Sequence, residues 1–353
     1  MSKSKLFLIL ASALLISCAN PNDPDNGNDT GTGGGGTGTG GGTTTGGYVL
    51  PKGSLSQEEQ QKALDPDDTM KVLFEKNDPK IGSKFFRIPA LVVTKKGTII
   101  AAADRRYNDP TDLGNRQVID VVVKTSSNMG NTWSDAITVL KANTTAESYG
   151  DAFLMNAHDG SVLMGVVAEP GVKGKAATWI FKSTDEGKTW TKITTLGANS
   201  ALYADGTANK GFGASGQGLT LRYGQNAGKL MFAFFQWNVS GGLSVSSIMS
   251  SDNGVSWTKT GSVTPSNPDN DIDETKAIEL SDGKILLNHR RNVKKGGRQW
   301  SKSTDGGKTW TSEGLDPEVN DPGNNADFAR YEFYGRPVKT SGYVLMINSD
   351  GYS

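Results

Sequence analysis

One spaced pattern, Ser-x-Asp-x-Gly-x-x-Trp, occurs four times and limits what this chain can fold into more than any other feature. The copies are Ser126-Asn128-Gly130-Trp133, Ser183-Asp185-Gly187-Trp190, Ser250-Asp252-Gly254-Trp257 and Ser303-Asp305-Gly307-Trp310. Each is a turn with its own local physics. The Asp or Asn side chain bonds backbone amides across the turn, Gly supplies a positive φ, and Trp lays a large apolar face over it. The tryptophans are 57, 67 and 53 residues apart. A period of that size leaves room for four short strands per unit, which predicts an all-β chain built as a β-propeller. The boxes themselves carry no chemistry, so Asp185, Asp252 and Asp305 are expected to be structural.

Composition narrows the function classes. The 45 glycines and 13 prolines among 353 residues argue against a helical protein. Lys+Arg 37 balance Asp+Glu 37, so no polyanionic partner is implied and nucleic acid is not an expected ligand. Two histidines and one cysteine provide neither a zinc cluster nor a disulfide, and neither metal nor cofactor is expected.

The lone cysteine has a telling position. Lys3 and Lys5 precede an apolar run, Leu6 to Ile16, too short to span a bilayer as a helix but suited to a secretory signal. It ends in Leu15-Ile16-Ser17-Cys18, which resembles the lipobox of bacterial lipoproteins. That resemblance implies a signal peptide over residues 1–17, a lipidated Cys18, and anchoring in the bacterial cell envelope, at the outer membrane or cell surface. Residues 18–47, almost pure Gly and Thr from Gly31 onward, form a flexible tether. Ser54–Leu64 fits one short helix with Ser56 as N-cap and Glu59 three residues on, and residues 48–353 are the folded part.

Chemistry concentrates between Phe85 and Asp120. Two strand-like runs, Arg87–Thr94 and Thr98–Ala103, flank a Lys95-Lys96-Gly97 turn and predict a β-hairpin. Arg87 interrupts an apolar strand start, where an unpaired guanidinium is costly to bury. Arg105 and Arg106 close the hairpin, and a loop with Asp109 and Asp112 follows, so arginines and carboxylates meet at one end of a sheet. Phe86-Arg87-Ile88-Pro89, followed by Asp104-Arg105-Arg106 and this loop, resembles the bacterial sialidases (exo-α-neuraminidases), in which the same boxes occur. The resemblance covers Leu73 to about Ser353.

It implies a six-bladed propeller of four-stranded antiparallel blades, about five of them present here. It also implies a monomeric exo-sialidase acting on the terminal α-linked sialic acids of sialylated glycans, with retention through a tyrosyl intermediate. The family grips the substrate carboxylate with three arginines, because planar guanidinium groups bind it bidentately and lysine does not. A neutral phenol activated by a Glu serves as nucleophile, since a carboxylate would be repelled by the substrate's own charge.

On this resemblance Arg87 matches the first of those arginines. Arg106 matches the arginine that orients the acid/base and touches the sugar, with Arg105 as the alternative one residue away. Asp112 matches the acid/base, with Asp109 as its alternative. Asp151, in Tyr149-Gly150-Asp151-Ala152, matches a substrate-pocket aspartate, although Ala stands where the family has Pro. Glu274 and Arg290, 16 residues apart across a hairpin, match the phenol-activating Glu and the second carboxylate arginine. Arg291 alternates to the other face, Asp271 and Asp273 are loop carboxylates, and His158 and His289 have no implied role, with His289 expected to pack. The third arginine and the nucleophile have no match. Arg330 and Arg336, and Tyr331, Tyr334, Tyr343 and Tyr352, lack the family's surroundings, so the phenol is expected beyond Ser353, in a longer chain. Two rivals remain, a non-catalytic propeller lectin and an Asp-box glycosidase of other specificity. Neither needs Arg87, Asp112, Glu274 and Arg290 together.

Overall fold

The structure, a computed structural model, describes residues 72–114, 118–144, 147–172, 175–265, 272–291, 297–321, 323–330, 332–333, 336–337 and 344–347. Cys18, the segments 1–17 and 18–47, the Ser54–Leu64 stretch, and Tyr331, Tyr334, Tyr343 and Tyr352 lie outside the described residues. Among those residues every element is a strand, apart from one turn of 3₁₀-helix at Gly224–Asn226.

The strands come in successive antiparallel meanders, as short apolar runs separated by glycine-bearing turns dictate. The first holds β1 (Phe85–Val93), β2 (Ile99–Arg106), β3 (Ile119–Ser126) and β4 (Ile137–Leu140) in that order. The second holds β5 (Ser148–Asn156), β6 (Val162–Val172), β7 (Lys175–Ser183) and β8 (Thr191–Leu196), joined to the first by a parallel bridge between Ile119 and Ser148. Next come β9 (Ala208–Gly213), β10 (Gly216–Gln217), β11 (Leu219–Thr220), β12 (Leu230–Asn238), β13 (Leu243–Ser250) and β14 (Thr258–Val263). Of these, β11 to β14 form the third meander, β9 extends it along β12, and β10 returns to pair in parallel with β5. The fourth is β15 (Thr275–Glu279), β16 (Ile285–His289), β17 (Gly297–Ser303) and β18 (Thr311–Asn320). Then β19 (Asp327–Arg330) pairs with β22 (Val344–Ile347), and β20 (Glu332–Phe333) with β21 (Arg336–Pro337).

Each meander packs its faces on its chain neighbours. Ile100, Val121 and Val123 of the first meet Leu154, Met164 and Val166 of the second. Phe153 and Leu163 of the second meet Phe232 and Phe234 of the third, with the Phe153 and Phe232 rings stacked at 4.8 Å. Phe235 and Val245 of the third meet Ile285 and Leu287 of the fourth. Burial on both faces explains why β2 and β3 read as continuous apolar runs rather than alternating ones.

The boxes behave as their chemistry requires. In the second, Ser183 donates to Asp185 Oδ1 (2.8 Å) and accepts from the Gly187 amide (2.9 Å), while Asp185 accepts from the Thr189 amide (2.9 Å). Gly187 has φ 84°, and the Trp190 indole donates to its carbonyl at 3.0 Å. The copies at Asn128 and Asp252 repeat this geometry. The fourth departs in one bond, since Trp310 donates to Ser247 Oγ (3.0 Å) and so ties the fourth meander to the third. Burial works against ionisation of Asp305, but bonds from the Thr309 hydroxyl and amide outweigh it and hold the carboxyl down to about 2. Ser183→Ala leaves the buried Gly187 amide without its acceptor and is expected to destabilise the protein by about 1–3 kcal/mol. Urea unfolding with an unchanged m-value checks this, and a loss below about 0.3 kcal/mol would contradict it.

Candidate active site

Arg87 owes its position to a break in the hairpin. Arg87 faces Asp104 across the ladder, but the register then slips, so that Ala90 faces Ala102. Ile88 takes up the slip with φ 55°, a costly conformation for a β-branched residue, and Pro89 sits where no ladder donor is needed. The bulge turns the start of β1 toward the loop after β2. Arg87 Nη1 donates to Asp112 Oδ1 (2.6 Å) and to the Pro110 carbonyl (2.8 Å).

Arg106, at the end of β2, has no solvent exposure. Its Nη1 donates to the carbonyls of Pro110 (2.8 Å) and Thr111 (2.6 Å) and to Asp112 Oδ1 (3.0 Å). Its Nη2 donates to Asp104 Oδ2 at 2.9 Å. Burial opposes the Arg106 charge, yet Asp104 and Asp112 outweigh it and hold the proton more firmly than usual. Thus Asp112, itself exposed, is gripped by two guanidinium groups. Burial raises its proton affinity, but Arg106 and Arg87 overcome that and keep the carboxyl below the usual aspartate range.

Asp104 links this cluster to the next. It is fully buried, and burial pushes its carboxyl up to about 6 against the pull of Arg106, the Asp151 amide and Arg87. The Asp151 amide donates to Asp104 Oδ1 at 3.1 Å, with Asp151 at φ 50°. Position 150 must be glycine, because a Cβ there would lie 2.6 Å from Asp104 Oδ2. The Asp151 carboxyl is raised well above its usual range by burial and by Asp104, Glu274 and Asp112, with Arg106 opposing. Asp151 therefore stands between the hairpin cluster and Glu274.

Glu274 precedes β15, and Arg290 follows its hairpin mate β16. The backbones pair, Arg290 N to Glu274 O at 3.0 Å and Asp273 N to Arg290 O at 2.9 Å, and the side chains meet at 2.5 Å. Burial opposes the Arg290 charge, while Glu274 and Asp273 raise its proton affinity. Behind it, Asp321 accepts from the Arg291 amide (2.6 Å) and from Arg298 Nη1 (3.2 Å), which braces the strand ends.

The structure thus gathers Arg87, Arg106 and Asp112 directly, ties Asp151 to them through Asp104, and pairs Glu274 with Arg290. Arg105 points to the opposite face of the sheet, bonding Asp120 and the Ile81 carbonyl. Asp109 is exposed and accepts from the Thr111 amide (2.7 Å), capping its own turn. His289 packs between Thr275 Oγ1 (2.8 Å) and Ser301 Oγ (2.9 Å). Thr275 spends its proton on the Asp273 carbonyl, so His289 Nδ1 carries the hydrogen, and burial and then Arg298 lower the ring to about 3. Asp104 is the site residue that sequence reasoning missed. The signal was present: an acid closing the apolar run Ile99–Ala103 has to be buried with a partner.

The repeats, the all-β meanders and the clusters of arginines and carboxylates together define a class. The chain belongs to the family of BNR repeat-like domains, whose family model matches residues 115–330. Within that class it is similar to sialidases. It is 31% identical over 288 residues to the sialidase of Micromonospora viridifaciens, covering 76% of this chain and 42% of that protein. With the sialidase of Paraclostridium sordellii it shares 30% over 272 residues, covering 72% and 62%. The chain therefore spans about half the length of the curated relatives it matches. In fold it resembles a Hadza microbial sialidase, with TM-score 0.61 and 23% identity over 70% of this chain and 50% of that one. The intramolecular trans-sialidase of Ruminococcus gnavus matches at TM-score 0.61 and 19% identity, covering 75% and 78%.

Proposed function

We propose that the protein is an exo-sialidase, hydrolysing terminal α-linked sialic acids, whose meanders are blades of a six-bladed propeller anchored to the cell envelope through a lipidated Cys18. The carrying observation is the single cluster in which Arg87 and Arg106 hold Asp112 while Arg290 holds Glu274 across Asp151. A substrate carboxylate competes with Asp112 for Arg87 and with Glu274 for Arg290. Its arrival replaces two internal ion pairs by bidentate ones. Asp112, released from Arg87, regains proton affinity and protonates the leaving oxygen, then takes a proton from water in the second step. Glu274, released from Arg290, accepts the proton of a tyrosine nucleophile, and the bond to the anomeric carbon passes from the leaving oxygen to the phenol oxygen.

The test is release of free sialic acid from sialyl-lactose by the whole protein. Product analysis separates hydrolysis from the intramolecular transfer named for the Ruminococcus relative. Arg87→Lys and Arg290→Lys should each lower kcat/KM by about 100-fold despite the kept charge, because a bidentate pair is lost. Binding of sialosides without turnover on any linkage would favour a lectin, and wild-type kinetics in either lysine variant would remove that arginine from the grip.

A further inference from the structure

Lys276 lies two residues beyond Glu274 on β15 and is 2% exposed. A cation buried this deeply is costly unless opposite charge surrounds it. What surrounds it is charge. It is attracted in turn by Asp327 at the start of β19, by Glu274 and by Asp151, and it is opposed by Arg298 of β17. The backbone makes room for this. Gly216 on β10 has φ 100°, and a Cβ there would lie 2.6 Å from Lys276 Nζ and 2.9 Å from Asp327 Oδ2. The same turn is fixed by Asn325 Nδ2 donating to Ser215 Oγ at 2.8 Å. Strands β11 and β12, which also pack on β15, bring no ionisable side chain. β16 contributes Asn288 opposite Lys276, with Arg290 just past its end already bonded to Glu274.

We propose that Lys276 is the common counter-charge of Asp151, Glu274 and Asp327, a positioning residue that joins the two charge clusters electrostatically. The three carboxylates come from different sheets, and Lys276 is attracted to all three. Burial already drives the Asp151 and Asp327 carboxyls above their usual range, and Lys276 is what opposes this at Asp327. Without the ammonium Asp151 and Asp327 lose an attraction that favours their ionised forms, and Glu274 loses a positive neighbour.

This inference rests on the sialidase reading for its activity readout, so the experiment carries a second one. Lys276→Met should move the acid limb of kcat/KM upward by about one pH unit, the size expected for removing one charge several ångströms away. The double variant Lys276→Met/Asp327→Asn removes the strongest unpaired partner as well. It should regain thermal stability while keeping the displaced limb. A wild-type limb in the stable double variant would reduce Lys276 to a structural partner of Asp327 and overturn the proposal. Absence of turnover in the wild-type protein would sink the sialidase reading alone. The carboxyl carbon of Asp151, followed by NMR, would then report the same upward displacement in the double variant, and an unmoved titration would sink the proposal.

Discussion

Asp104→Ala is expected to destabilise the protein by about 3–5 kcal/mol, because it leaves the Arg106 guanidinium in a fully buried site with half its carboxylate contacts gone. Arg106 would keep Asp112 Oδ1 and the Pro110 and Thr111 carbonyls on Nη1, while Nη2 would lose its acceptor. The Asp151 amide would lose its partner too, at a residue held in the left-handed region. Activity should fall with stability, since Asp104 sets both Arg106 and Asp151. The pH dependence has a definite sign. Asp104 is held up at about 6, so its protonated form is favoured by folding. Its contribution is fully present below the unfolded value near 4 and is lost as pH rises through about 6. The gap between wild type and Asp104→Ala should therefore widen on acidification from about pH 7 to about pH 4. Denaturant melts at the two ends of that range check it. A gap that narrows toward pH 4 would mean that the Arg106 pair, and not burial, governs Asp104.

Much of this site is legible because two strand rules operate on it. Side chains alternate, so Arg106 has to share a face with Asp104, and Arg105 has to leave it for Asp120. The 16-residue spacing of Glu274 and Arg290 fits a hairpin whose ends meet, and they do meet, through both backbone and side chain. The boxes are equally readable, since all of the bonds described in them except that of Trp310 run within a few residues. Trp310 shows where that stops, because its indole finds Ser247 63 residues away. The bulge at Ile88 was hidden for a related reason. A positive φ at a β-branched residue is paid for by tertiary contacts around it, not by its own preference. Lys276 was hidden as well, because nothing local says that a lysine in a strand will meet carboxylates from three separate sheets. The choice between Asp109 and Asp112 was open in a loop without periodicity, and contacts separate their surroundings: Asp109 caps its own turn, whereas Asp112 meets two arginines, which is why the proposed scheme uses Asp112.

Those contacts give the largest effect expected on the proposed chemistry. Asp112→Ala should lower kcat/KM on sialyl-lactose by about 10²–10⁴-fold, the range for loss of a general acid. On an aryl sialoside the loss should stay within about tenfold, because a good leaving group departs with little protonation. The contrast follows from where Asp112 sits. Arg106 and Arg87 hold its proton affinity below the usual aspartate range in the unliganded protein. In the proposed scheme, displacement from Arg87 by the substrate carboxylate raises it again. Substrate binding and acid strength are therefore coupled at one oxygen, Asp112 Oδ1, which both guanidinium groups share. The same coupling makes Arg87→Lys inform on Asp112. A lysine that grips the substrate less well should leave the acid less fully released, so poor leaving groups should suffer more than aryl ones in that variant too. Steady-state kinetics on the two substrate types, for Asp112→Ala, Asp109→Ala and Arg87→Lys, test the scheme. Equal losses of Asp112→Ala on both substrates, or a larger loss from Asp109→Ala, would move the acid elsewhere in the loop.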